Sequence, residues 1–292
     1  MSALPRVTCA IVGGSGLYDL AGLSDAEPVA VATPFGEPAA PPLVGRLAGQ
    51  PVAFLARHGR DHRLLPSEIN YRANVFALKL LGVERILSVS AVGSMTPRIR
   101  PRDLVLVDQF VDRTRRGECS FFGDGVAAHV SLADPVCPET RAVLRAAAGT
   151  GPGVHDGGTY LCIEGPAFST RAESQLYRSW GVHVIGMTNL PEARLAREAE
   201  ICYATLALVT DYDCWHEDED AVSVGGLLDN LRAGNRRAAA ILAAAVGRLP
   251  ARGAGCRCGA ALRDAVITPR ERIPDATRAR LRPILGKYLG DA

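Results

Sequence analysis

The segment Ile201 to Trp215, ICYATLALVTDYDCW, constrains the fold of this chain more than any other stretch. Its apolar and β-branched run is typical of a buried strand, and it ends abruptly at Asp211 and Asp213. Ligands of open α/β sheets bind at the carboxyl ends of the strands, so both aspartates are predicted at a functional edge. In an extended segment they point to one side, about 7 Å apart, which suits one flat, nitrogen-rich ligand. The alternative is a turn or a helix cap.

Strand and helix signals alternate along most of the chain. Strands are predicted at 8–12, 52–56, 85–90, 104–110, 159–163 and 182–187. Helices are predicted from Pro66 to Gly82, from the capping box Thr170–Glu173 to Gly181, from Pro191, over 223–249 and over 274–289. The alternation predicts an α/β protein, and 292 residues fit one domain, 1–292, with a C-terminal helical extension at about 248–292.

Charge and hydropathy narrow the class of function. The chain has 33 basic and 31 acidic residues, so its formal net charge of +2 predicts no nucleic-acid-binding or membrane-binding field. No segment has the length of a membrane span, and the amino terminus lacks a signal-peptide pattern. The eight cysteines lie mostly in apolar runs, as buried free thiols do. We therefore expect a cytoplasmic protein.

Cys256 and Cys258 are the exception among the cysteines, because a single residue separates them. Two ligands are too few for a closed zinc site, and no CxxC motif elsewhere supplies the others. We therefore predict a local redox pair or two inert thiols, and no metal site.

Polar side chains follow other predicted strands as well. The turn from Gly13 to Gly16 offers backbone N–H groups and the Ser15 hydroxyl to an anion, although a plain tight turn explains it equally well. Its spacing is not the dinucleotide-binding fingerprint. The segment Arg57 to Arg63, with three arginines and two histidines, is the densest cationic cluster. Ser90 and Thr188 end two further strands.

These strand ends together predict one composite site. It would combine a cationic, hydroxyl-rich anion site with an acidic pair that reads a heterocycle, and the apolar Phe168 and Met187 would lie between them. This arrangement fits phosphate attacking a nucleoside. A non-catalytic nucleoside sensor or dinucleotide-binding module is the alternative, but such a module does not need Arg57 and His58 at the sugar.

The long segment 112–138 is glycine-bearing and irregular. It carries Phe121, Phe122 and His129. Loops of this length in compact domains are usually lids or subunit contacts, so one of these two roles is predicted.

Long motifs in this chain resemble the trimeric purine nucleoside phosphorylase family, in particular its 5′-methylthioadenosine phosphorylase branch. They are GGSGLY at 13–18, TPFGEP at 33–38, ARHGRDHRLLPSEINYRAN at 56–74, SAVGS at 90–94, DQFVDRT at 108–114, EGPAFSTRAES at 164–174, GMTNLPEARLAREAEICYA at 186–204 and TDYDCW at 210–215. The resemblance implies a mixed, twisted and partly barrel-like sheet flanked by helices. It also implies a homotrimer, phosphate as co-substrate, and no metal or organic cofactor.

The resemblance assigns roles by position. Phosphate would be bound by Ser15, Arg57, His58, Ser90, Ala91 and Thr188. The nucleoside would contact His62, His129 of a neighbouring subunit, Phe168, Ser169, Met187, Asp211, Asp213, Val224, Leu227 and Leu228. Asp211 would lie near N7 of the purine and Asp213 near its 6-amino group. The implied reaction releases adenine and 5-methylthioribose 1-phosphate, in purine and methionine salvage.

The chemistry of the residues agrees with that reaction. Cleavage of the N-glycosidic bond puts negative charge on the purine and positive charge on the sugar. A protonated Asp211 would donate to N7, and phosphate held by Arg57 and His58 would attack the sugar. A carboxylate at Asp213 favours a 6-amino group, but Asn189 is expected to bear on base preference. A phosphorylase of 6-oxopurine nucleosides or of methylthioinosine is therefore the second reading.

Overall fold

The computed structural model describes residues 4–14, 17, 20–117, 119–216, 224–253 and 255–290, without the side chains of 224–228. Ser15 therefore lies outside the described residues, as do the side chains of Val224, Leu227 and Leu228. None of the helices described is both long enough and apolar enough to cross a bilayer.

An eleven-stranded mixed sheet, open at both edges within the described residues, forms the centre of the molecule. Its strands are β1 Cys9–Gly13, β2 Ser24–Pro28, β3 Leu43–Leu47, β4 Gln50–Ala56, β5 Arg85–Ser94, β6 Leu104–Leu106, β7 Gln109–Arg113, β8 Val154–Asp156, β9 Thr159–Ile163, β10 Val184–Gly186 and β11 Cys202–Asp211. The main path runs β2-β3-β4-β1-β5-β10-β9-β7, and β11 joins β5 to the β6–β8 pair. The α/β class and the mixed sheet are confirmed, whereas the sheet does not close into a barrel.

Six α-helices pack around the sheet in the described part of the chain. They are α1 Tyr71–Leu80, α2 Pro138–Ala148, α3 Arg171–Ser179, α4 Asn189–Glu198, α5 Val224–Val246 and α6 Asp275–Leu289. Short 3₁₀ turns lie at Arg60–His62, Arg257–Ala260 and Arg270–Arg272. The C-terminal part of the chain adds to the core, because Leu262, Ile273 and Leu281 are buried in its largest cluster.

Local side-chain hydrogen bonds explain where two helices begin. The predicted capping box of α3 is confirmed: the Thr170 hydroxyl accepts from the Glu173 N–H and the Glu173 carboxylate accepts from the Thr170 N–H. The predicted start of α1 at Pro66 is wrong. The Asn70 side chain accepts from the Ala73 N–H, so the helix begins at Tyr71, and the residues before it form a turn.

The sequence pattern missed the exposed strand β2 and merged β6 with β7. All five residues of β2 are exposed, so they show no apolar pattern. Positions 104–113 read as one strand, but β6 pairs with β8 and β11, whereas β7 pairs with β9. A change of partners within a continuous extended segment leaves little trace in the sequence.

Strand β5 organises the functional edge of the sheet. On one side it pairs with β11 from Arg85 to Gly93, and on the other it pairs with β1 as far as Ser88. β10 then takes the place of β1, but only at Gly93 and Ser94. The four positions 89–92 therefore face neither β1 nor β10. We call this interval the β5 gap.

Candidate active site

A cavity of about 300 Å³ opens at the β5 gap and is called the main cavity below. Its size falls within the range of small-molecule sites. Most of the predicted site residues line it, and they come from strand ends far apart in the sequence. The lining residues are Gly14, Arg57, His58, His62, Leu65, Pro66, Ser90, Ala91, Val92, Gly93, Ile163, Pro166, Phe168, Ile185, Gly186, Met187, Thr188, Thr210, Asp211 and Asp213.

The Arg57 guanidinium is buried and already holds a carboxylate. Its Nε and Nη2 atoms lie 2.7 and 2.9 Å from the two carboxylate oxygens of Glu192, and Nη1 donates to the Val89 carbonyl in the β5 gap. Burial acts to lower the pKa of Arg57, but the charge and hydrogen bonds of Glu192 outweigh it and raise that pKa. Glu192 therefore largely neutralises the positive charge of Arg57 that the sequence predicted for this site.

His58 lies beside Arg57 as a neutral imidazole. Burial lowers its pKa to about 4, more than the hydrogen bond to the Leu64 carbonyl raises it. Because that carbonyl can only accept, Nδ1 of His58 carries the proton at 2.9 Å and Nε2 is left as an acceptor. The His58 and His62 rings stack at 4.2 Å, and burial lowers the pKa of His62 as well. The predicted cationic character is wrong for His58, which is buried beside Arg57, and the pKa of the more exposed His62 shifts in the same direction.

Ser90 and Thr188 meet at a tyrosine that the sequence reading did not identify. The Tyr160 hydroxyl lies 3.1 Å from the Ser90 hydroxyl and 3.4 Å from the Thr188 N–H, and its ring is fully buried. Gly186 makes this possible, because a Cβ there would lie 2.0 Å from the Tyr160 hydroxyl oxygen. The predicted grouping of Ser90, Ala91 and Thr188 on one side of the cavity therefore agrees with the structure.

Asp211 and Asp213 lie at the other end of the β5 gap, as predicted from their strand. The Asp211 carboxylate accepts from the Thr210 hydroxyl at 2.6 Å and from the Asp213 N–H at 2.7 Å. Burial raises the pKa of Asp213. A Cβ on Gly93 would lie 2.8 Å from Asp211 Oδ1, so that glycine allows the carboxylate to approach the sheet. Burial therefore shifts the balance at Asp213 towards the protonated carboxyl.

Apolar groups lie between the two polar ends. Phe168 lines the cavity with half of its surface exposed, and Met187 lines it with its carbonyl held at 2.9 Å by Arg116. Ser169 lies behind Phe168: its carbonyl accepts from the Cys214 thiol, and its hydroxyl is buried without a partner in the described part of the chain. The structure therefore brings Phe168 and Met187 into the same cavity as the polar groups, and their roles as contacts of a nucleoside stay predictions.

Two expectations are corrected by the structure. Asn189 does not face the cavity: its side chain is fully buried and bonds to Ser88 at 3.2 Å and Thr205 at 3.0 Å, behind β5. A direct role in base preference is therefore excluded by its position. None of the described residues of the segment 112–138 lines the main cavity, so the structure does not support a lid, and the alternative role as a subunit contact stays a prediction. Phe121 instead anchors it in the core, where it packs against Phe35 and Phe76.

His129 lies outside the main cavity of its own chain. Its side chain is exposed, and its backbone N–H donates to the Ala265 carbonyl. Its role at a neighbouring subunit's site stays a prediction.

Glu192 and Tyr160 are the main residues that sequence reasoning missed. Glu192 is buried on α4 and accepts from Arg57, Ser88 and Tyr203. It follows Pro191 in the first turn of a helix, where an acidic residue is ordinary, so its role carried no separate signal. Tyr160 lies within the apolar strand β9, so the sequence pattern predicts only a core position for it.

The interpretation of Cys256 and Cys258 as an isolated pair is also wrong. Cys137 and Cys202 join them, and the four sulfur atoms lie within 4.8 Å of one another. Because these residues come from three distant segments, no local motif predicted the cluster.

Known proteins are similar to this chain over most of its length. Residues 8–247 match the model of the phosphorylase superfamily. Proteins named S-methyl-5′-thioadenosine phosphorylase from Koribacter versatilis and Geobacter sulfurreducens are each 55% identical, over 96% of this chain and 96% and 98% of theirs.

Solved structures agree as well. A methylthioadenosine phosphorylase from an antarctic soil metagenomic library is 48% identical with a TM-score of 0.90, over 96% of this chain and 99% of that one. The Schistosoma mansoni methylthioadenosine phosphorylase in complex with adenine is 37% identical with a TM-score of 0.79, over 85% and 93%. This chain therefore belongs to the phosphorylase superfamily and, within it, to the family of the methylthioadenosine phosphorylases.

Proposed function

We propose that this protein cleaves S-methyl-5′-thioadenosine with phosphate, releasing adenine and 5-methylthioribose 1-phosphate. The observation that carries the proposal is the β5 gap, which has phosphate-type donors at one end and an acidic pair at the other. Arg57 bonds to Val89 and Asp211 abuts Gly93, four residues further on, a separation of about 13 Å along the strand. A nucleoside with phosphate beside its sugar bridges such a span.

In this reaction a phosphate oxygen attacks C1′ of the sugar as the bond from C1′ to the purine nitrogen breaks. The bonding electrons move to the purine, which takes up a proton at N7. We propose Asp213, in place of the Asp211 predicted from the sequence, as the group that holds this proton, since burial raises its pKa, while Asp211 accepts from the backbone N–H of Asp213. Both carboxyls line the cavity, so either reaches a base placed there.

Phosphate would be recognised by hydrogen bonding more than by net charge. Arg57 is balanced by Glu192 and His58 is neutral, so the donors are the hydroxyls of Ser90 and Thr188, the Ala91 N–H and the outward face of Arg57. Nε2 of His58 accepts, and a phosphate that carries a proton would donate to it. Ser15, outside the described residues, is proposed as a further donor.

The 5′ end of the nucleoside would lie near His62, Leu65 and Pro66, which line the cavity beside His58. Leu65 and Pro66 are apolar, so a 5′-methylthio group is accommodated without loss of a hydrogen bond, whereas a 5′-hydroxyl must use His62. Val224, Leu227 and Leu228 are proposed to complete this apolar surface.

One observation favours a second candidate, a phosphorylase of 6-oxopurine nucleosides. A protonated Asp213 would donate to a 6-oxo group, and burial raises the pKa of Asp213. The test is base release from methylthioadenosine, adenosine, methylthioinosine and inosine, with and without phosphate. Phosphate-dependent adenine release that is fastest from methylthioadenosine supports the first proposal, and faster hypoxanthine release supports the second. Binding without base release would indicate a sensor.

We further propose a cytoplasmic homotrimer in which His129 enters a neighbouring site. The eight cysteines are free thiols, as a reducing compartment maintains them. Light scattering should give about 93 kDa, three chain masses of 30.9 kDa. His129→Ala should raise KM for the nucleoside without changing the assembly, and a monomer with full activity would exclude the shared site. Phosphate is the proposed co-substrate, and this chemistry requires no organic cofactor.

A further inference from the structure

A cluster of four cysteines lies at the end of β11 opposite to the main cavity. Cys137 precedes α2, Cys202 is the first residue of β11, and Cys256 and Cys258 belong to the 3₁₀ turn near the C-terminal segment. Cys137, Cys202 and Cys258 are buried, and Cys256 is half-buried. We call these four residues the cysteine cluster.

The spacing of the sulfur atoms suits one metal ion better than any other arrangement of four thiols. Sγ of Cys256 lies 3.9 Å from that of Cys137 and 3.4 Å from that of Cys202. Four thiolates placed tetrahedrally around zinc at about 2.3 Å lie roughly 3.8 Å apart. A disulfide requires about 2.05 Å, and all four are free thiols. A four-iron cluster needs a wider cage than the 4.8 Å limit observed here.

The elements that carry the cysteines are fixed before any ion binds. The Cys137 N–H donates to the Tyr203 carbonyl at 2.8 Å, the Cys202 N–H donates to the Glu84 carbonyl at 2.9 Å, and the Cys256 N–H donates to the Gly253 carbonyl at 3.0 Å. Cys137 is also the N-cap residue of α2, so its side chain lies at the N-terminus of that helix. A helix N-terminus favours a thiolate over a thiol.

A buried cation stands beside the cluster. Arg85 pairs in register with Cys202 across β5 and β11, so both side chains point to the same face of the sheet. Arg85 is 4% exposed, and its Nε and Nη2 atoms have no hydrogen-bond partner in the described part of the chain. Within the described residues its ion pair is with Glu139, at a long 3.9 Å from Nη2 to Oε2. A buried arginine so poorly balanced fits next to an anionic group, and a divalent ion with four thiolates carries a net charge of −2.

We propose that the cysteine cluster binds one zinc ion as a structural site. On binding, the four thiols release four protons and the sulfur electron pairs form four bonds to the metal, with no change of oxidation state. Four protein ligands leave no open position, so the site is closed and takes no part in phosphorolysis. A cavity of about 700 Å³ that Cys256 and Cys258 help to line gives the ion a path from solvent.

The ion would tie the C-terminal segment to the sheet. Cys256 and Cys258 introduce residues 255–290, whose α6 packs into the core, whereas Cys137 and Cys202 belong to α2 and β11. One tetrahedral centre would therefore join three segments that are far apart in the sequence.

The test is the metal content of the full-length protein, which is purified without chelator and measured by inductively coupled plasma mass spectrometry. We expect about one zinc per chain. Cys256→Ser and Cys258→Ser should lose most of it, and Cys119→Ser, which removes a thiol outside the cluster, should keep it. The serine variants should also melt at a lower temperature while their kcat/KM at low temperature stays unchanged.

A second measurement uses the parent protein and therefore tests the proposal even if the serine variants misfold. The parent protein, reduced and stripped of metal, is titrated with Co²⁺, which should give thiolate charge-transfer absorption and the intense visible bands of a tetrahedral site at one equivalent. Zinc should displace the cobalt. The proposal is overturned if the reduced protein binds neither ion, or if the isolated protein is metal-free and its mass is lower by two hydrogens for each of two disulfides.

Discussion

The two ends of β11 show two ways in which a protein assembles a site. At its end, Asp211 belongs to the main cavity, whose residues come in contiguous motifs after successive strands. At its start, Cys202 belongs to the cysteine cluster, whose four members come from three segments that are far apart in the sequence. The strand holds them about 30 Å apart. The first kind of site is visible in a sequence because each piece has a local pattern, and the second becomes visible only when the chain is folded.

The two ends also differ in how their polar groups are satisfied. In the main cavity Arg57 has Glu192 and Asp211 has Thr210, so each strongly polar group has a protein partner. At the cysteine cluster the buried Arg85 has only a long ion pair with Glu139, and its Nε and Nη2 atoms make no hydrogen bond within the described residues. The main cavity therefore suits a substrate that binds reversibly. The cysteine cluster instead suits the permanently bound metal ion that we propose.

The largest expected effect is a loss of turnover on substitution at the Asp211 end of β11, with little loss of stability. Asp213→Asn should lower kcat by about 10²-fold or more, because an amide cannot transfer a proton to the departing purine, and should leave the melting temperature nearly unchanged. Steady-state kinetics with methylthioadenosine measures it, with Asp211→Asn as the matched variant. If Asp211→Asn loses far more turnover than Asp213→Asn, the proton-donating role belongs to Asp211.

Removal of Arg57 should act first on stability. Arg57→Ala leaves Glu192 buried without its cation, which costs about 3–5 kcal/mol of the free energy of unfolding. The double variant Arg57→Met/Glu192→Gln should recover most of that stability while KM for phosphate stays high. Denaturant unfolding and phosphate titration measure the two effects. A double variant with normal KM for phosphate would remove Arg57 from the phosphate site.

The pH dependence of stability should report on His58. Its native pKa is about 4 and its ordinary value 6.5, so below pH 6.5 the unfolded chain takes up a proton that the native protein refuses. Stability should therefore fall by about 3 kcal/mol as the pH drops from 6.5 to 4, and the loss should be absent above pH 6.5. His58→Gln should flatten this part of the profile relative to the parent.

Much of the fold and most of the main cavity could be predicted from the sequence. Buried strands such as β5 and β11 have unbroken apolar runs, and their ends carry Ser90 and Asp211. The exposed strand β2 has no such pattern, and the start of α1 depended on one Asn70 hydrogen bond. The charge state of His58 and the burial of Asn189 could not be predicted, because both depend on which residues surround them after folding.

The β5 gap has a consequence for the energetics of the whole sheet. Positions 89–92 form a short free edge inside the molecule, where another strand would otherwise pair. A ligand that bonds to this edge acts as a missing piece of the sheet, so binding and folding share part of their free energy. At a hundredfold excess over Kd a ligand adds about 2.7 kcal/mol to the stability of a protein. The enzyme would therefore resist heat and proteolysis better in the presence of its substrates than alone.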